Sequence, residues 1–288
     1  MRLLIAGGTG FLGRALVAAM PDAEITVLSR TPGDRHITDL ADAPHVDVVV
    51  NLAGESIQGR WTTAKKHRIL RSRVDTTTRL VDWMLKMAKK PSLFLSSSAV
   101  GIYGDRGDEL LPESGDKIVA PGFLPQVCRD WEQAAAPAAW KGVRTVLLRT
   151  GLPLDPAGGV LGEILPMLRR FPVFSLGNKG AWMPWIALGD WVRLVRLAID
   201  TTELQGPLNL AAPNPVTQGE FTAAVAERLG KRVWGNVPAP LLRLGLGEFS
   251  EALLASQRVV PEKALGSGFK FEHPELRGYL DEAIQPRV

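Results

Sequence analysis

Four glycines between positions 7 and 13 are the first residues whose types and spacing could do chemistry. Gly8, Gly10 and Gly13 satisfy G-x-G-x-x-G, and Gly7, Gly10 and Gly13 satisfy G-x-x-G-x-x-G. Glycines so spaced let a backbone turn tightly and approach a diphosphate, whose charge is met by the free N–H groups of a helix start. Thr9, Phe11 and Leu12 complete the turn, so Gly7–Gly13 is the candidate cradle of a dinucleotide. A second group is Ser96-Ser97-Ser98, followed by Tyr103. These hydroxyls close an apolar run, and hydroxyls at the C-terminal end of a parallel strand face the crevice where open α/β sheets bind ligands. Ser96 is the candidate there for the cofactor, and Ser98 and Tyr103 are the candidates for the substrate's chemistry.

The elements that must position these residues follow from hydrophobic periodicity. Leu3–Ala6 reads as a buried strand entering the glycine turn, and Phe11–Val17 reads as the helix leaving it. Glu24–Leu28 reads as the second strand and ends at Ser29-Arg30. An acidic residue at that end would bind the ribose hydroxyls of NAD, whereas an arginine pairs with the extra phosphate of NADP. Ser29 and Arg30, with no carboxylate in the next three positions, therefore favour NADP. Asp39-Leu40, after a short extended piece at His36–Thr38, is placed to touch the adenine. Val46–Asn51 is a β-branched buried strand. It exits into Leu52-Ala53-Gly54, small enough for close approach to the cofactor, and then Glu55, a candidate for the substrate pocket. Thr62 to about Lys90 reads as a helix with Ile69, Val74, Val81 and Leu85 on one face, and Arg68 and Arg73 lie where they could reach back to phosphates.

Leu93–Ser98 reads as the next strand, Asp105–Gly122 as a loop, the segment through Trp131–Ala135 as a helix and Val143–Arg149 as the sixth strand. This alternation implies an α/β fold, a Rossmann-type doubly wound parallel sheet over residues 1–150. Residues 151–288 read as a smaller, mostly helical substrate region, with a segment near 186–212 returning to the sheet at Pro207–Ala211. Helices are expected at 160–170 and 191–200, the second capped by Asp190. Gly177–Ile186 reads as an aromatic, glycine-containing loop, and its Trp182 and Trp185 are candidate walls of the substrate pocket. Thr217 to Glu220 has the spacing of a capping box.

Composition bounds the rest. A chain of 288 residues with 45% hydrophobic and 22% charged residues has the make-up of an ordinary globular protein. No apolar run reaches the length of a membrane span, and the first strand follows Met1-Arg2 too directly to leave room for a signal peptide. The net charge of +4 is modest and its basic residues are scattered, which argues against nucleic acid as a partner. The single cysteine, Cys128, excludes an internal disulfide and fits a cytoplasmic, reducing compartment. It reads as a buried structural thiol, and the four histidines show no metal-ligand spacing. The chain is left as a monomer or a homodimer.

Gly7–Gly13, Asn51-Leu52-Ala53-Gly54 and Ser96–Gly104 resemble motifs of the extended short-chain dehydrogenases/reductases of the NAD-dependent epimerase/dehydratase type. More narrowly, four stretches resemble a sugar-nucleotide-epimerase-like subgroup of NADP-dependent oxidoreductases. These are Asn51–Glu55 with Arg60-Trp61-Thr62, Val127–Glu132, Trp185-Ile186 with Gly189-Asp190, and Ser256–Pro261. The resemblance covers essentially the whole chain. It implies an NADP cofactor held at Ser29-Arg30, Leu52-Ala53, Arg73 and Leu152, and a small-molecule substrate.

One departure bears on the chemistry. The wider family uses a tyrosine acid/base, a lysine four residues later and an upstream serine that orients the substrate oxygen. Ser98 matches the serine, but Phe123 and Val127 stand where the tyrosine and lysine belong. Neither can transfer a proton, which leaves Tyr103 as the candidate proton source; Glu132, one helical turn past Cys128, could also point toward the pocket. The implied activity is an NADP-dependent oxidoreductase. An epimerase or dehydratase on a nucleotide-sugar-like substrate and a catalytically silent NADP-binding sensor or scaffold stay open beside it.

Overall fold

A computed structural model describes residues 1–115 and 120–284. Seven strands form one parallel sheet: β1 (Arg2–Ala6), β2 (Glu24–Leu28), β3 (His36–Ile37), β4 (Val48–Asn51), β5 (Leu93–Ala99), β6 (Arg144–Thr150) and β7 (Gly206–Leu210). Their spatial order is β7-β6-β5-β4-β1-β2-β3. The order reverses between β1 and β4, and that switch point is where a doubly wound sheet opens its ligand crevice. Leu3, Leu4, Ile5, Val48, Val49 and Val50 are buried on both faces of the sheet, as β-branched and leucine runs in a covered parallel sheet must be. The return expected at Pro207–Ala211 is β7, paired in parallel with β6 from Gly206↔Val146 to Leu210↔Thr150.

Helices cover both faces. On one side α1 (Phe11–Ala18) and α5 (Leu188–Asp200) pack Leu16, Trp191, Leu194 and Val195 against Leu3, Ile5, Val50 and Leu95. On the other, α2 (Thr63–Lys86) and α3 (Phe123–Trp140) pack Leu80, Met84, Ala135 and Ala138 against Leu4, Val49 and Phe94. Helix α2 starts one residue after Thr62, whose hydroxyl accepts the Lys65 N–H, and stops short of the expected Lys90. The expected loop from Asp105 to Gly122 contains a short strand at Leu110–Leu111, and its residues 116–119 lie outside the described residues.

The second region carries more strand than its sequence suggests. Helices α4 (Gly159–Arg170), α6 (Gln218–Arg228) and the C-terminal Leu276–Ala283 surround a separate core of Leu154, Leu165, Trp185, Phe221 and Leu280. Between them run two-stranded ladders. Trp182–Met183 pairs with Val216–Thr217, and Trp185–Ala187 pairs with Leu152–Asp155, so the segment read as an aromatic loop is a loop over 177–181 and two short strands beyond it. Their backbone groups find partners across from them, which period-2 patterning cannot signal in pieces this short. The Thr217/Glu220 capping box opens α6 as its spacing implies.

Asp190 does not cap α5. The helix begins earlier, at Leu188, and Asp190 lies in its first turn, fully buried. Its carboxylate accepts the backbone N–H groups of Glu272 and His273 at 2.9 Å each and the Arg193 guanidinium at 2.8 Å, tying the C-terminal segment to the sheet domain. Asp190→Ala strands those two N–H groups and is expected to cost about 2–3 kcal/mol. Urea denaturation checks this; a midpoint unchanged from the native chain would show that the clamp carries no stability.

Candidate functional site

The glycine turn is built so closely that side chains cannot enter it. Gly7 has φ +82°, a left-handed conformation that favours glycine, and a Cβ there would stand 2.7 Å from the Leu52 carbonyl carbon. A Cβ on Gly13 would stand 2.3 Å from the Gly7 oxygen and 2.6 Å from the Gly8 Cα. Helix α1 is thereby pressed onto the end of β1. Its N-cap, Gly10, offers no side chain, and its first turn holds no carboxylate. The free N–H groups at this helix start therefore face the crevice with nothing from their own helix to neutralise them, and the residues fit the diphosphate of a dinucleotide. Phe11 turns away and packs its ring against the turn at Gly158-Gly159, so its side chain joins the nucleotide region to the second region.

At the end of β2, the Ser29 N–H donates to the Ile37 oxygen and the Ser29 hydroxyl accepts the Thr31 N–H, which fixes the turn that presents Arg30. Arg30 is exposed and forms no ion pair among the described residues. Asp39 and Leu40 are differently placed from the expected adenine contact. The Asp39 carboxylate accepts the Ala41 N–H as the cap of a short 3-10 turn, and the Leu40 side chain is buried in the core under α2. The Leu40 side chain is thereby withdrawn from an adenine edge, whereas Asp39 stays exposed, with only its Oδ1 engaged by the cap.

The exit from β4 touches the glycine turn directly, since the site of a Gly7 Cβ is also 2.8 Å from the Ala53 nitrogen. Ala53 N–H donates to the Asn51 side-chain oxygen, and Asn51 in turn donates to Thr77 of α2. Gly54 lies over the Arg73 guanidinium, where a Cβ would approach Cζ to 3.2 Å. Arg73 donates to the Glu55 and Ile69 carbonyls and stacks on Trp131 at 5.1 Å, and burial pulls its pKa below the ordinary arginine value. It thus braces the loop from below. Glu55 pairs with Lys65 at 3.0 Å and Arg68 at 3.6 Å, and the Lys65 hydrogen bond and charge hold its carboxyl below the usual range.

At the end of β5 the candidates separate. Ser96 is fully buried, which removes its hydroxyl from direct contact with a cofactor. Ser98 is 3% exposed, and its hydroxyl donates its proton to Glu132 of α3 at 2.7 Å. That carboxylate is gripped by the Arg149 fork, Nε to Oε1 and Nη2 to Oε2, both at 2.9 Å, with the pair's side chains only 13% and 7% exposed. Arg149 lies beside Ser98 in the β5–β6 register. Its burial opposes the charge, but Glu132 and Tyr103 outweigh that and raise its pKa above the ordinary value. Tyr103 is 2% exposed. Its hydroxyl donates to Asn209 at 2.8 Å and accepts from Arg149 at 3.2 Å, and burial raises its pKa. Such a phenol is a structural member of a buried network, which corrects its reading as the proton source. Asn209 extends the network by donating to the Leu111 and Val260 carbonyls.

The positions of the missing tyrosine and lysine are filled by apolar packing. Phe123 meets Trp61 edge-on at 5.2 Å, Trp61 meets Phe249 at 6.0 Å, and Val127 is buried against Trp61 and Ile69. Cys128 is the buried thiol its isolation implied, with burial pushing its pKa up to about 12. Past β6, Leu152 N–H donates to the Pro184 oxygen at 2.6 Å, beside a Gly151 whose Cβ would lie 2.1 Å from that oxygen. Trp182 is half-buried, donates to Asp108 at 2.8 Å and carries the Arg258 guanidinium 4.4 Å above its ring. Trp185 is not a pocket wall. It is fully buried in the second core, with its indole N–H on the Asn214 oxygen. The Glu132–Arg149 pair is the feature not anticipated as a unit, and its one signal was a charge, Arg149, directly after the apolar run Val146–Leu148.

The reversed strand order and the glycine cradle define a Rossmann-type fold of the doubly wound α/β class. Residues 3–211 match the model of the NAD dependent epimerase/dehydratase family, and residues 237–283 match a domain of unknown function, DUF1731. The chain belongs to the NAD dependent epimerase/dehydratase family. It is 38% identical to an epimerase family protein of Mycobacterium bovis, covering 93% of each chain. It is 32% identical to the epimerase family protein SDR39U1 of Mus musculus, covering 99% of this chain and all of that one. The crystal structure of human SDR39U1 (isoform 2) with NADPH superposes with a TM-score of 0.90 at 30% identity, covering 99% of both chains. Among the described residues no helix is long and apolar enough to cross a membrane.

Proposed function

We propose that this protein is an NADP-dependent oxidoreductase of the extended short-chain type that acts on a small molecule in the cytoplasm. The observation that carries the reading is Arg30, an exposed guanidinium without an ion pair among the described residues at the end of β2, beside a cradle that admits only glycine at positions 7 and 13. NADPH in the human relative supports it. The N–H groups of α1 hold the diphosphate, Ser29 and Arg30 hold the 2′-phosphate, and Leu52, Ala53 and Leu152 line the crevice on the other side of β1, above β4 to β6. When bound, the cofactor supplies or accepts hydride. Ser98 contacts the substrate oxygen, and Glu55 and Trp182 shape the pocket around it.

A second reading, an NADP-binding sensor without turnover, is favoured by the apolar cluster at Phe123 and Val127. Loss of nicotinamide absorbance across a panel of carbonyl compounds distinguishes the two. The cofactor assignment is tested by titrating NADPH and NADH against the native chain and Arg30→Asp. The native chain is expected to bind NADPH more tightly by at least about tenfold, one lost charge-assisted contact being about 1.5–3 kcal/mol, and Arg30→Asp to erase the difference. Equal affinities in the native chain would overturn it.

A further inference from the structure

The polar contacts at the end of β5 constrain which chemical form of a substrate the site accepts. Ser98 has one hydroxyl proton, and Glu132 takes it at 2.7 Å. A carboxylate has no proton to offer in return, so the direction of this bond is fixed by chemistry. The acceptor is itself immobile, because Arg149 grips both of its oxygens at 2.9 Å. Arg149 is anchored by its place beside Ser98 in the sheet and by the Tyr103 hydroxyl, and Tyr103 is anchored by Asn209. Turning the Ser98 proton away would remove a donor from a nearly buried carboxylate.

We infer that Glu132 fixes Ser98 as a hydrogen-bond acceptor toward the crevice, so that the group bound opposite Ser98 is a hydroxyl, the alcohol form of a substrate, and not a carbonyl oxygen. The inference rests on the proposed function, which places the substrate oxygen at Ser98. The lone pairs left on the Ser98 oxygen meet the proton of an alcohol favourably and the lone pairs of a carbonyl unfavourably. Glu132 is a positioning residue here, acting through Ser98.

Cyclohexanol and cyclohexanone share a six-carbon ring and differ by two hydrogens, CH–OH in one and C=O in the other, and serve as probes. Each is titrated by ligand-observed NMR against the full chain loaded with NADP⁺. The native chain is expected to prefer cyclohexanol by roughly tenfold, the effect of one mismatched hydrogen bond. Ser98→Ala is expected to abolish the preference. The double variant Glu132→Leu, Arg149→Met replaces the ion pair with apolar groups of similar size and frees the Ser98 proton. Its preference is expected to fall below about threefold or to invert, a ratio that a change in stability alone does not move. The inference is overturned by a ketone preference or equal binding in the native chain, by no saturable binding of either probe while NADP⁺ stays bound, or by an unchanged ratio in the double variant. Failure to load NADP⁺ would instead overturn the proposed function, and the inference with it.

Discussion

Gly13→Ala is expected to abolish measurable NADPH binding and to lower stability by about 1–3 kcal/mol, the range for overpacking a closed site. The added carbon would sit 2.3 Å from the Gly7 oxygen and 2.6 Å from the Gly8 Cα. Both are backbone atoms, so no side chain can swing aside. Relief requires α1 to back away from β1, and the helix start is the part of the molecule that meets the diphosphate. Gly10→Ala is the contrasting variant. It has an ordinary φ of −74°, and its nearest neighbour would be the Gly7 oxygen at 3.3 Å. It is therefore expected to cost less than about 1 kcal/mol in stability while still weakening NADPH, because a methyl group keeps the cofactor from the backbone. Denaturation and fluorescence titration of the two variants separate these effects. Undiminished NADPH affinity in Gly13→Ala would show that the dinucleotide does not depend on this turn.

The second large effect concerns the buried ion pair. Arg149→Met leaves the Glu132 carboxylate unpaired, and Glu132→Leu leaves the guanidinium unpaired. Each is expected to cost about 3–5 kcal/mol, whereas the double variant lies within about 1 kcal/mol of the native chain or above it. The asymmetry arises because removing one partner leaves a desolvated charge, while removing both removes the desolvation as well. Urea denaturation of the four proteins measures the coupling directly. Single losses that simply add in the double variant would mean that the two residues act separately.

What the sequence revealed about this fold depended on whether the signal was local. The sheet was legible because Leu3–Ala6, Val48–Asn51 and Leu93–Leu95 are apolar runs bounded by turns, and each occupies its strand. The glycine turn was legible because its glycines fall within seven residues, although the crowding that demands Gly7 comes from Leu52 and Ala53. Trp185 and Tyr103 were not. An aromatic ring carries no mark of which core it will enter, and each was settled by partners far along the chain, Asn214 and Tyr279 for one and Asn209 for the other. Asp190 looked like a cap because it precedes an apolar period. Its real partners, Glu272 and His273, are more than eighty residues away. Glu132 and Arg149 are joined only once α3 lies over β6, so neither could be assigned a partner from spacing.

The central claim is that NADP(H) lies across the glycine turn with its 2′-phosphate on Arg30. A crystal structure of the chain grown with NADPH tests it most directly. The expected result is a diphosphate on the N–H groups at the start of α1 and a 2′-phosphate within hydrogen-bonding distance of the Arg30 guanidinium and the Ser29 hydroxyl. A dinucleotide bound elsewhere, or one whose 2′-phosphate points into solvent away from Arg30, would contradict it.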